Sequence, residues 1–75
     1  MANQEFIPDN NVRKIRLTAG ISQTRLSLVT GIPISRVSMV ERGSKCNQAT
    51  AAKIAAALNE KPETVFPNFS ELRGW

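Results

Sequence analysis

Between Arg13 and Lys53 the chain carries eight basic residues (Arg13, Lys14, Arg16, Arg25, Arg36, Arg42, Lys45 and Lys53) and a single acid, Glu41. The remaining acids, Glu5, Asp9, Glu60, Glu63 and Glu71, stand on either side of that span. The net charge of +4 is therefore concentrated in the middle of the chain. Such a distribution sets up a positive field that draws phosphate. Catalysis has little to work with. There is no His, no nucleophile–base pair and no glycine-rich phosphate loop, and one Cys cannot build a zinc site. The lone Cys46 also excludes an internal disulfide, which fits a reducing compartment. Beside Lys45 in a polar loop, its thiol could be acidified into a redox sensor, although a lone loop cysteine ordinarily has no such role.

These charges must be placed by short elements, because 75 residues make one small domain with room for little more than its core. No stretch is long and apolar enough to span a bilayer, and the N-terminus lacks a signal-peptide layout. A soluble, cytoplasmic protein is expected, with no cofactor, metal or small-molecule ligand. Phe6 and Ile7 precede Pro8 and are expected to pack partly on the core. Asp9 or Asn10 can cap a first helix that runs to about Ala19, with Val12, Ile15 and Ala19 inward. Gly20 then closes it as a left-handed cap.

The next stretch, Gln23–Gly43 (QTRLSLVTGIPISRVSMVERG), is the organising element. Ser22 caps a helix from Gln23 to about Thr30. Gly31 can take the positive φ of a tight corner, and Pro33 suits the first turn of a third helix ending near Arg42 and Gly43. Leu26, Val29, Ile32, Val37 and Val40 form the expected inner stripe, with Ile32 as a plug at the corner. A helix, a short turn and a second helix at this spacing make a helix-turn-helix unit, whose second helix can lie in the DNA major groove. A polar loop, Ser44–Gln48, leads to an alanine-rich fourth helix at about Ala49–Leu58, stopped by Asn59. Pro62 opens a last short helix carrying Val65 and Phe66. In the tail, Phe69, Leu72 and Trp75 either cover the core or contact a second subunit.

Seven pieces then recur in a familiar order: Val12-Arg13-x-x-Arg16, Gly20-Ile21-Ser22-Gln23, Gly31-Ile32-Pro33, Val37-Ser38, Glu41-Arg42-Gly43, Lys53-Ile54-Ala55 and Pro62-Glu63-x-Val65-Phe66. Over residues 10–66 the chain resembles the phage lambda-type repressor and Cro, or XRE, family of helix-turn-helix proteins. The resemblance implies an all-α, compact five-helix lambda-repressor-like domain. It also implies binding of double-stranded operator DNA, usually as a homodimer on an inverted repeat. By that resemblance, base contacts would come from Ile34, Ser35 and Met39, with Arg36, Ser38 and Arg42 at the margins. Phosphate contacts would come from Gln23 and its neighbours Thr24 and Arg25, from Ser38, and from Lys45 and Asn47 in the loop. Arg16 and Glu41 match a pair that forms an internal salt bridge in the family.

Three positions depart from the family pattern. Ser27 stands where the family has Ala, and Ile34 and Met39 offer only apolar surface where donors and acceptors are usual. Either they touch thymine methyl groups or the surface meets a protein partner. The first reading gives a sequence-specific transcriptional regulator, expected to be a repressor of phage or mobile-element type. The second gives a protein-interaction module or antitoxin-like accessory protein on the same fold. Arg13 and Lys14 fit either a solvated surface or a phosphate contact, and Lys53 lies beyond the expected footprint. Residues 1–75 read as one domain beginning at Met1, with no second domain for an inducer or self-cleavage. Control is then expected from concentration, oligomeric state or a partner protein.

Overall fold

A computed structural model describes residues 10–44 and 46–72. Readings that concern Phe6, Ile7, Pro8, Asp9, Lys45 and Trp75 lie outside the described residues. Among the described residues the chain forms five α-helices: α1 (Val12–Thr18), α2 (Gln23–Thr30), α3 (Ile34–Glu41), α4 (Gln48–Ala57) and α5 (Pro62–Val65). A single 3-10 turn follows at Phe69–Glu71.

Local chemistry accounts for where each helix stops. At the end of α1, Gly20 has φ 74°, its N–H donates to Leu17 O, and the Ile21 N–H donates to Arg16 O. The same pair of bonds closes α3 at Gly43, where Ser44 N–H reaches Met39 O. It also closes α4 at Asn59, where Glu60 N–H reaches Ala55 O. Each motif satisfies carbonyls that the helix would otherwise leave orphaned, and each needs one residue in the left-handed region. Asn59, at φ 60°, fills that role without being glycine. Two helix starts are capped by side chains: Ser22 Oγ accepts from Arg25 N–H at 3.0 Å, and Asn47 Oδ1 from Thr50 N–H at 2.7 Å. The N-cap of α1 is Asn11, not Asp9 or Asn10, and its side chain makes no cap bond. Asn10 Oδ1 accepts from Val12 N–H, while Asn10 Nδ2 donates to Val40 O at 2.9 Å and ties the start of α1 to α3. Pro33 is the residue just before α3, at φ −54° and ψ 142°, and not inside its first turn.

The core is one cluster in which α2 packs on α3 and α4, α4 on α5, and α1 on α3. Val12, Leu26, Ile32, Val37, Val40, Ile54, Leu58, Val65 and Phe66 are buried there, as are Ala51 and Ala55. Phe69 and Leu72 pack against it half-buried, so this part of the tail covers the core.

Three expectations about burial are corrected. Ala19 is exposed, because α1 ends at Thr18 and Ala19 is its C-cap. Val29 is 57 % exposed. The inward side of α2 is lined by Leu26 with Gln23, Ser27 and Thr30. The three polar side chains turn inward because the structure gives them partners. Ser27 Oγ donates to Ile32 O at 2.6 Å, and Thr30 Oγ1 donates to Leu26 O and accepts from Ile32 N–H. Ser27 thus braces the corner through its hydroxyl as well as allowing close approach. Finally, Cys46 is a buried core residue and no member of a solvated loop. Burial pushes its thiol pKa up, and the nearby Arg36 charge only partly offsets this. A lowered pKa, and with it the redox-sensor reading, is therefore contradicted.

Candidate nucleic-acid interface

The interface is built from the start of α2, the corner at Gly31 and the outer side of α3. Gly31 has φ 77° and ends α2, with its N–H on Ser27 O. Ile32 is buried beneath the turn and fixes how α3 leaves it.

On α3 the buried residues Val37, Val40 and Glu41 define the inner side. Opposite them, Ser35, Met39 and Arg42 follow the i, i+4, i+7 spacing of one helix face and all are exposed. Ile34 and the half-buried Ser38 border this line on one side. Ile34 is 45 % exposed and Met39 40 % exposed, less than Leu17, Leu28 and Val29, so what sets them apart is their place on α3 and not their exposure. Arg36 is half-buried on the opposite border, close enough to Cys46 for its charge to act on the thiol. The residues expected to read bases are thus brought to one side of α3, except that Arg36 stands apart from the rest.

At the start of α2 the intrahelical ladder begins with Leu26 N–H on Ser22 O. Ser22 Oγ takes the Arg25 N–H, which leaves the N–H groups of Gln23 and Thr24 outside the ladder. That helix end, with the positive pole of its dipole, suits an anion. Thr24 and Arg25 are exposed beside it. Asn47 is half-buried, with its Oδ1 committed to the cap of α4.

Behind both elements lies a network of charged and polar groups. Arg16 Nε donates to Glu41 Oε2 at 2.5 Å, and Arg16 Nη2 to Glu41 Oε1 at 3.2 Å. Arg16 Nη1 donates to Ile21 O at 2.7 Å. The two residues are only 7 % and 5 % exposed. Gln23 Nε2 joins them, donating to Glu41 Oε1 at 3.0 Å. One carboxylate on α3 therefore holds both α1 and the first residue of α2. The family resemblance paired Arg16 with Glu41, but Gln23, 18 positions from Glu41, was missed, because nothing local links an amide to a carboxylate that distant. The burial of Cys46 was missed too, although cysteine is among the residues most often found inside.

Comparison with known proteins gives one result that bears on this arrangement. A family model described as "Helix-turn-helix" matches residues 12–65, well over half of the chain. No curated protein and no solved structure matches it significantly. Among the described residues no helix is long and apolar enough to cross a membrane. The chain belongs to the lambda repressor and Cro (XRE) family of helix-turn-helix proteins, which are DNA-binding transcription regulators.

Proposed function

We propose that this chain is a sequence-specific repressor of phage or mobile-element type that lays α3 in the major groove. It binds an inverted repeat as a homodimer. The observation that carries this reading is the exposed face of α3, set by the Gly31 corner beside the open N-terminus of α2 and within the basic span. Ile34, Ser35, Met39 and Arg42 face the base edges, with Arg36 at their border. Ser38, Thr24, Arg25, Lys45 and Asn47 serve the phosphates. Gln23 contributes its backbone N–H and the second hydrogen of its amide, the first being held by Glu41.

Salt dependence tests the phosphate assignments, because only cationic contacts release counterions. Affinity for duplex DNA falls steeply with salt in the wild type, and Arg25→Ala, which removes one phosphate contact from each protomer of the dimer, lowers the log–log slope by about 1.8. Gln23→Ala weakens binding but leaves the slope unchanged, since its amide is neutral. A flat salt dependence in the wild type contradicts the reading, as does an Arg25→Ala slope equal to wild type for that residue.

The exposure of Ile34 and Met39 favours one second reading, an antitoxin-like or accessory protein that meets a protein partner through α3. In that case Ile34→Ala and Met39→Ala abolish partner binding while DNA affinity stays at its wild-type value.

A further inference from the structure

The reader face is chemically lopsided. Its hydroxyls, Ser35 and Ser38, can each donate or accept, so they tolerate many base edges. Arg42, at the end of α3, is the outer-face residue with a fixed donor pattern, one that suits guanine. What remains are two large apolar side chains, Ile34 and Met39, held in solvent by a helix whose inner positions are already filled by Val37 and Val40. They are five positions apart, roughly 7.5 Å along the helix, so they cannot meet the same small group. In the major groove, the apolar feature that a base edge offers is the methyl on pyrimidine C5. That methyl belongs to thymine, and it is also what distinguishes 5-methylcytosine from cytosine.

Resting on the major-groove reading above, we propose that Ile34 and Met39 make this protein a detector of C5-methylated pyrimidines. It favours thymine over uracil and 5-methylcytosine over cytosine at two positions in each half-site. Cytosine methylation of a site then raises its occupancy. The flexible thioether of Met39 and the branched body of Ile34 can both close on a methyl without needing a hydrogen-bond partner. Burying one methyl contributes about 0.8 kcal/mol, close to a fourfold change in affinity.

The test uses the duplex that the full chain selects from a random pool, with each thymine replaced in turn by deoxyuridine. An A·U pair presents the same major-groove donors and acceptors as A·T and lacks only the methyl. The expected result is roughly fourfold weaker binding at two thymines per half-site, by the same methyl increment. Where 5-methylcytosine paired with guanine replaces such a thymine, binding is tighter than with cytosine by a similar factor. Ile34→Ala removes the discrimination at one position and Met39→Ala at the other. Both side chains are largely outside the core, and an unchanged thermal melt confirms that the variants fold. The proposal is overturned if the site is bound selectively yet uracil and 5-methylcytosine make no difference, a result that leaves the DNA-binding reading standing. It is overturned too if the discrimination survives both substitutions. A protein that retains no preferred sequence from the pool overturns this proposal and the major-groove reading together.

Discussion

Glu41 accepts two hydrogen bonds from Arg16 and one from Gln23 while almost wholly buried. Removing it leaves a guanidinium inside the protein with no counter-charge, a loss of about 3–5 kcal/mol. A domain this small has little more stability than that in total. Glu41→Ala should therefore melt far below the wild type in a thermal scan, and a melting temperature close to wild type would sink the assignment. Cys46 gives a second test at this scale. Its folded pKa is raised above the unfolded value of 9.0 by burial, so the neutral thiol contributes stability at neutral pH that is lost as pH climbs through and above that value. In urea melts the advantage of the wild type over Cys46→Ala should shrink between about pH 8 and about pH 10. A constant difference would contradict the buried, neutral thiol. The Arg16–Glu41 pair was legible through the family resemblance, whose pattern matches both positions. Gln23 and Cys46 were not legible, since the partners of one and the burial of the other depend on how distant segments meet.

At the scale of elements, the corner between α2 and α3 depends on one backbone conformation. Gly31 sits at φ 77°, and a Cβ added there would meet no atom within 4 Å. Any cost of Gly31→Ala is then backbone strain alone, about 1–2 kcal/mol, with Gly31→Asn costing less. Denaturant midpoints of the two variants check this, and an Ala variant as stable as the wild type would mean the corner does not need a left-handed residue. Glycines and caps were legible for a simple reason: Gly20, Gly31, Gly43, Ser22 and Asn59 act within a few residues of themselves. The apolar stripe was less so. Counting hydrophobic residues placed Val29 inside, whereas the hydroxyls of Ser27 and Thr30 turn inward because the corner supplies them with backbone partners. A polar residue that bonds the backbone of a neighbouring turn looks, in sequence, like a surface residue.

For the molecule as a whole, the helices position two surfaces relative to one another: the open end of α2, proposed to take phosphate, and the outer face of α3, proposed to read bases. The Arg16–Glu41–Gln23 network fixes that relation from behind, so less order has to be imposed when DNA binds. The core that supports it extends from Val12 to Phe66, with Phe69 and Leu72 laid against it. Specific binding by two copies on a two-fold site places half-sites about one helical turn apart. Selection from a random double-stranded DNA pool at moderate salt, followed by sequencing, tests this most directly. The account predicts an enriched inverted repeat with half-site centres about 10 base pairs apart. Recovery of DNA with no enriched sequence, or no recovery at all, would contradict a sequence-reading α3.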